Sequence, residues 1–384
     1  MKKIAILHFS PIEKYPPITN LLDFIADRRD RDWDIRVFTQ TIPENKNGSF
    51  KPKSDRIRID RIGGIPRSAG PLKRYLAYLR WHTKTYLRLL AWKPDLVLYY
   101  ETLSAFPALL YKKTGGRKKP LFVHYHEYTT PAEYHEGMVL NRIFHRMEKT
   151  QFPRYGWISH TNGDRMRFFR NENPNISDRQ SFLLPNYPPM SWRKGETNPG
   201  PGPVRFVYVG ALSMGNMYTA EFARWIHDQN GNATWDIYSA NSTDEAKDYI
   251  EGLGSDCIRF KGSVKYNDLP ALLRRYDVGI VLYKGTIPNY VYNIPNKLYE
   301  YLACGLDAWF PKEMTSCLPL VNTGVFPQIK AIDFQQLDLD PGKATDRSGL
   351  TYSPTDYFYE NILPLIVDKI DQAIQPERSS TQSI

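Results

Sequence analysis

The residues best placed for chemistry are Lys297 and Glu300, in Asn293-Ile294-Pro295-Asn296-Lys297-Leu298-Tyr299-Glu300-Tyr301-Leu302-Ala303-Cys304-Gly305. Pro295 and Asn296 read as the opening of a short helix, and Gly305 as its end. A three-residue spacing puts both side chains on one face of the first turn. There the unpaired N–H groups and the positive end of the helix dipole face outward. That set suits a diphosphate, with N–H groups and Lys297 for its charge and the Glu300 carboxylate for a neighbouring sugar diol. An ordinary amphipathic helix with an acid near its start would read the same, so the remaining chain has to decide.

Other chemistry-bearing residues stand at the expected ends of strands. Val207-Tyr208-Val209-Gly210-Ala211-Leu212-Ser213-Met214-Gly215-Asn216 reads as a strand and a glycine turn. It lacks the dinucleotide fingerprint, and Asn216 stands where a P-loop needs Gly-Lys-Ser/Thr, so what remains is a backbone that can approach a ligand closely. Leu121-Phe122-Val123-His124-Tyr125-His126-Glu127 ends a strand with two histidines on one face. No third metal ligand can be placed, and His126 reads better as a hydrogen-bonding group or a buried structural histidine than as a ligand. Asp30, Asp32 and Asp34, and Asp338 with Asp340, have the look of metal–diphosphate aspartates. Their positions, at a helix-to-strand turn and in a late loop, favour solvated turns, so no metal is expected.

The elements that must position these groups alternate between short apolar strands and amphipathic helices. Strands are predicted at Lys3–Phe9, Ile35–Thr39, Leu96–Tyr100, Leu121–Tyr125, Gly156–His160, Arg205–Val209, Trp235–Tyr238, Ile258–Lys261 and Gly279–Tyr283. Helices are predicted at Leu21–Arg29, Leu72–Trp92, Thr219–Asp228, Thr243–Gly252, Leu269–Tyr276 and Lys297–Ala303. The pattern implies an α/β protein of two Rossmann-like, doubly wound domains, with ligands held beyond the strand carboxyl ends. The Pro- and Gly-dense stretch from Pro185 to Pro203 marks the boundary. The expected division is residues 1–185, residues 186–354, a closing helix over 355–374, and a frayed tail over 375–384.

Composition limits the function classes. The 384 residues suit two domains, and 41% hydrophobic residues support real cores. Cys257, Cys304 and Cys317 show no metal or disulfide spacing and read as reduced thiols, which points to a cytoplasmic setting. The apolar start is too short for a signal peptide, and no stretch approaches a membrane span. The net charge of +10 is uneven: residues 1–185 hold 33 Lys and Arg against 18 Asp and Glu, and the remainder hold 18 against 23. An anionic partner is therefore expected for the first half only. Within it, Lys73, Ala77, Arg80, Lys84 and Arg88 form a basic stripe flanked by Tyr75, Tyr78 and Trp81, beside an apolar stripe of Leu72, Leu76, Leu79, Tyr86 and Leu90. That pattern suits a helix on an anionic membrane surface, or simply a solvated basic face. No nucleic-acid-binding motif is present.

In their order along the chain, these segments resemble the family-4 glycosyltransferases of GT-B fold, in particular bacterial polysaccharide transferases. The likeness covers most of the chain. It is strongest from Val204 to Gly305, where Asn293–Gly305 follows the family pattern P-x-K-x-x-E-Y-x-A-x-G, and it includes the linker-like Leu183-Leu184-Pro185-Asn186-Tyr187-Pro188. The resemblance implies two domains facing a cleft, with the acceptor on the N-terminal one and the nucleotide sugar on the C-terminal one. It implies that Glu300 holds the ribose hydroxyls, and that Lys297 with the N–H groups of Asn296 and Leu298 cradles the diphosphate. Gly210, Leu212 and Asn216 would lie near phosphates and sugar; Ser239, Lys261, Gly262 and Ser263 would lie near the base, and His126 would approach the donor sugar from the acceptor side.

Two departures stand out. Tyr292 occupies the place where the family often has a second Glu, near the transferred sugar. No Arg or Lys follows the glycine loop, leaving Lys297, Lys284 or Arg165 to supply charge. The implied activity is retaining, metal-independent transfer from a nucleotide sugar, taken as a UDP-sugar, to a glycan or lipid-linked acceptor in bacterial surface-polysaccharide or glycoconjugate assembly, with no other cofactor and no nucleic acid. Arg80, Lys84 and Arg88 would hold a peripheral position at the inner membrane face. The rival readings are a nucleotide-sugar epimerase of the same fold and a non-catalytic nucleotide-sugar-binding protein.

Overall fold

The computed structural model describes residues 1–28, 30–41, 49–64, 70–195 and 202–375. Arg29, Thr197–Pro201 and residues 376–384, on which some expectations fall, lie outside them. The chain divides into two compact units, Met1–Pro185 with Ile362–Ile384, and Asn186–Asn361.

The first unit contains β1 (Lys2–His8), β2 (Trp33–Thr39), β3 (Ile57–Arg61), β4 (Leu96–Tyr100), β5 (Leu121–Tyr125), β6 (Trp157–His160) and β7 (Ser181–Leu183). They form a parallel sheet in the order β3-β2-β1-β4-β5-β6-β7. Its helices are α1 (Pro16–Asp27), α2 (Pro71–Trp92), α3 (Ala105–Thr114), α4 (Pro131–Glu136), α5 (Val139–Lys149) and α6 (Gly163–Glu172). The near-continuous burial of β1, β4, β5 and β6 is what a parallel sheet covered on both faces demands.

The second unit contains β8 (Val204–Val209), β9 (Ala233–Tyr238), β10 (Ile258–Phe260), β11 (Val278–Ile280), β12 (Asp307–Pro311), β13 (Val325–Phe326), β14 (Ile329–Ile332) and β15 (Thr351–Tyr352). The main parallel sheet runs β10-β9-β8-β11-β12-β14, and β13 pairs with β15. Its helices are α7 (Thr219–Asp228), α8 (Asp244–Gly252), α9 (Leu269–Leu273), α10 (Pro288–Val291), α11 (Asn296–Ala303) and α12 (Pro341–Ala344). A last helix, α13 (Tyr359–Ile374), starts here and from Ile362 onward belongs to the first unit, where Arg31 pairs with Asp371 and, at 3.3 Å, with Asp368.

Strand alternation splits the second core into two layers. Phe206, Tyr208 and Trp309 pack on one face with Phe222 of α7; Val207, Ala308 and Phe310 pack on the other with Leu298 and Tyr301 of α11. Helix α11 lies close on β11 because Gly279 carries no side chain: a Cβ there would stand 2.1 Å from Tyr301 Cγ. The helix ends in a Schellman motif, with Gly305 at φ 82°, Gly305 N–H donating to Leu302 and Leu306 N–H donating to Tyr301.

Several expected boundaries move. The run predicted as one strand over Gly279–Tyr283 pairs only through Ile280, and β3, β12 and β14 have no counterpart among the expected strands. The aspartate clusters are structural: Asp34 pairs with Arg58 at 2.9 Å, Asp32 with the N-terminal amine at 2.7 Å, and Asp340 caps α12. On α2, Trp81 flanks nothing; it is fully buried with His82, Thr85 and Leu89, while Leu72, Leu76 and Leu79 are the exposed ones. The helix turns its tryptophan and small polar face, rather than its leucine stripe, toward the sheet.

Gly279→Ala is expected to push Tyr301 off β11, costing about 1–3 kcal/mol of overpacking. A lowered urea midpoint with an unchanged slope would show it; an unchanged midpoint would refute the tight α11 seat.

Candidate active site

In the second unit the strand order reverses between β8 and β11, which opens a crevice at their carboxyl ends. Gly210 ends β8, Tyr283 follows β11, and α11 presents its first turn. These three bring Lys297 into a cage. Its Nζ lies 3.1 Å from the Tyr208 hydroxyl, 4.2 Å from the Tyr208 ring centre and 5.1 Å from that of Tyr283. The residue is only 9% exposed. Burial opposes the ammonium, but the Tyr208 and Tyr283 hydroxyls outweigh it and leave the pKa raised, so the charge is permanent near neutral pH. Gly210, at φ 140°, makes room: a Cβ would stand 2.8 Å from Lys297 Nζ.

Pro295, the N-cap, offers no side-chain acceptor. The N–H groups of Asn296 and Lys297 therefore stand outside the helical ladder. Leu298 N–H is less available than expected, since it donates to the Pro295 carbonyl at 3.0 Å. One turn on, Glu300 is 8% exposed, and no described side chain or N–H donates to its carboxylate. Burial raises its pKa to about 7, with Lys297 pulling the other way. The arrangement is a fixed cation, two N–H groups outside the helical ladder and a largely buried carboxyl, all on one short helix.

The other expected residues divide. Ser239, Lys261, Gly262 and Ser263 gather at the ends of β9 and β10, where Ser239 N–H donates to the Gly262 carbonyl at 2.7 Å and Gly262 adopts φ 76°. Lys261 lies 3.9 Å from Asp236, which accepts from Tyr276 at 2.8 Å. Tyr276 in turn meets Tyr238 at 2.9 Å, a network that no local pattern in the chain signals. The Leu212 side chain is buried in the core, so only its backbone could face a ligand. Asn216 is exposed, and its carbonyl accepts from Lys284 N–H at 2.9 Å. Lys284 is tied to Glu221 at 3.1 Å. Tyr292 caps α10, its N–H bonded to Pro288.

In the first unit the strand order reverses between β1 and β4, and a cluster of aromatic and imidazole rings stands at that carboxyl edge. His126, 7% exposed, stacks on Tyr100 at 5.3 Å and on Tyr15 at 5.5 Å, beside His124 and His8. Burial lowers His8 to about 4 and His124 to about 3, so both are neutral imidazoles at pH 7. Sequence reasoning missed Glu101. It adopts φ 63°, rare for a side-chain-bearing residue, and accepts the N–H groups of His126 at 2.6 Å and Glu127 at 3.4 Å. Burial first, then Glu127, raises its pKa to about 8. Arg165 donates to the His126 carbonyl and to Thr161. Among the described residues, no group of acidic, His or Cys side chains could hold a metal ion.

On α2, Arg80 and Lys84 are exposed and make no ion pair with a described residue, whereas Arg88 lies 3.5 Å from Asp60. No helix among the described residues is long and apolar enough to cross a membrane.

No protein-family model and no curated protein matches the chain. Solved structures do. Sucrose-phosphate synthase from Thermosynechococcus elongatus is similar at a TM-score of 0.66 and 14% identity, covering 97% of this chain and 99% of that one. Anabaena HepE in complex with UDP is similar at 0.63 and 14% identity, covering 97% and 100%. A putative UDP-N-acetylglucosamine 2-epimerase from Listeria monocytogenes is similar at 0.53 and 12%, covering 97% and 90%. The fold is thus that of GT-B glycosyltransferase structures, two Rossmann-like α/β domains of parallel sheets.

A carboxyl whose pKa is raised in the folded state favours folding while protonated and opposes it once ionised. Stability should therefore fall as pH rises from the ordinary carboxylate range to about 7. Glu300→Gln should match the wild type near pH 4.5 and exceed it at pH 8, by at most about 3 kcal/mol. Parallel stability profiles for the two proteins would rule out a carboxyl whose pKa is raised by burial.

Proposed function

We propose that the chain is a glycosyltransferase that takes a sugar from a nucleotide-diphosphate donor, a UDP-sugar foremost, and passes it to an acceptor hydroxyl. The carrying observation is the caged Lys297 ammonium beside the uncapped start of α11, with Glu300 one turn along. In this reading Lys297 and the Asn296 and Lys297 N–H groups take up the charge that grows on the leaving diphosphate. One fixed donor of this kind is worth about 3 kcal/mol of transition-state stabilisation. Glu300 accepts from the ribose diol, which satisfies its bare oxygens and favours the ionised form. Gly210 lets phosphate approach the β8 backbone, and Ser239 to Ser263 border the base. The positive charge comes from the protein, which suits the metal-independent, retaining transfer implied by the resemblance.

His126 belongs to the acceptor side, with Glu101 fixing its backbone. The acceptor would be a glycan or lipid-linked sugar in surface-polysaccharide assembly, with the exposed cations and leucines of α2 resting on an anionic membrane face. HepE is solved with UDP, and that fold-mate supports a uridine donor. The epimerase fold-mate keeps donor-only chemistry as a rival. Nucleotide released only when an acceptor is present favours transfer; an altered sugar nucleotide formed from donor alone favours epimerisation.

In a thermal-shift panel of UDP-, GDP-, ADP- and TDP-sugars, one base should raise the midpoint by a few degrees, corresponding to about 2.7 kcal/mol at 100-fold excess over Kd. Lys297→Met and Glu300→Gln should abolish that shift, and a shift surviving in both would displace the donor site from α11. Separately, Arg80→Gln with Lys84→Gln should weaken binding to anionic vesicles about tenfold or more, at about 1 kcal/mol per cation. Equal binding by variant and wild type would remove α2 from the membrane face.

A further inference from the structure

A groove of about 820 Å3 runs between α3 and α5 of the first unit, away from the strand carboxyl ends. Lys112 and Lys113 close α3 just before β5, and Arg154 lies just before β6, so the groove sits at the amino ends of the strands. His126 and Glu101 lie at the opposite, carboxyl edge of the same sheet.

Five cations line it: Lys112, Lys113, Arg117, Arg146 and Arg154, with no carboxylate among the lining residues. Among the described residues none of the five makes an ion pair. Their hydrogen bonds go to uncharged oxygens: Lys112 to the Lys119 carbonyl, Arg117 to that of Lys113 at 3.2 Å, and Arg154 to the Gln151 amide at 3.5 Å. Elsewhere in the unit cations pair readily, as in Lys119 with Asp95 at 2.8 Å and Arg167 with Asp164 at 2.7 Å. Burial first, then the neighbouring Arg154 charge, lowers the Lys112 pKa. Charge of one sign gathered in a concave site draws in and holds an anion.

The floor is apolar. Leu109 and Met147 form its base, and Ile143, 44% exposed, forms its lip. One turn back along α5 stands Val139, 56% exposed, and next to it Met138, whose sulfur accepts from Tyr78 of α2 at 3.7 Å. A path of exposed apolar side chains therefore leads away from the cations along one face of α5. A free inorganic anion would use the cations and leave that path idle, whereas a molecule with a phosphoryl head and an acyl tail would use both.

We propose that this groove binds the phosphorylated headgroup of an anionic lipid, with the head against Lys113, Arg146 and Arg154 and the chain along Ile143 and Val139. The site stands on the first unit alone and does not depend on the donor assignment. Because it lies at the strand edge away from His126, it anchors the protein rather than presenting the acceptor.

The test is calorimetry with monomeric dihexanoyl phosphatidic acid, with dihexanoyl phosphatidylcholine and inorganic phosphate as comparison arms. The wild type should bind phosphatidic acid saturably and at least tenfold more tightly than either comparison ligand. The combined exposed-site variant Lys113→Gln, Arg146→Gln, Arg154→Gln should lose at least tenfold, and the uncharged Ile143→Asn should weaken the lipid while leaving phosphate unchanged. Far-UV circular dichroism confirms that each variant is folded, and Arg146→Gln alone serves if the combined variant is not. No saturable binding, or a folded variant that binds like the wild type, overturns the site. Phosphate binding as tight as the lipid overturns the lipid occupant.

Discussion

The second unit is organised around one buried cation. Lys297 is held at the β8/β11 reversal by two tyrosine rings and one hydroxyl, with a glycine opposite so that its Nζ can reach the strand end. A desolvated ammonium costs several kcal/mol unless compensated, and ring faces return only about 2 kcal/mol. Glu300, the nearest acid on the helix, is itself desolvated and half protonated near pH 7. The Tyr208 and Tyr283 hydroxyls supply the rest and keep the lysine charged, a fixed positive charge available to an anion at the first turn of α11. The seat of α11 on β11, the bare Gly279 and the Schellman end at Gly305 all serve to fix that one charge.

The first unit uses the same topology with different chemistry. Where the second unit places a lysine, the first places aromatic rings and neutral histidines, held by a carboxyl in a left-handed backbone conformation. Such strain persists only where the surroundings enforce it, and here the Glu101 carboxyl grips the His126 N–H and so shapes the loop after β5. The two strand edges thus differ in charge: a fixed ammonium in the second unit, neutral imidazoles and aromatic rings in the first.

What can be read from the sequence follows from how local each signal is. The α11 turn is legible because proline, glycine and the Lys–Glu spacing act within one helix, and Thr219–Asp228 appears as α7 with the same ends. Strand β12 escapes because it opens on Asp307, whose charge is neutralised by Arg347 at 3.1 Å, and because a strand buried on both faces shows no alternation. Glu101 escapes because its distinction is a backbone angle. The buried face of α2 is hidden for another reason: two stripes at helical spacing compete, and only the packing of the sheet and α3 against it, with Phe9 meeting Trp81 at 5.2 Å, selects Trp81 and Leu89. Leu212 looks like a loop residue and is core, since the chain after β8 turns its side chain inward.

Helix α11 and its caged lysine are proposed to form a diphosphate seat. A crystal structure of the protein with UDP tests it most directly. Diphosphate oxygens are expected about 3 Å from Lys297 Nζ and from the Asn296 and Lys297 N–H groups, with the ribose hydroxyls on Glu300. UDP bound elsewhere, with Lys297 still enclosed by Tyr208 and Tyr283 alone, would contradict it.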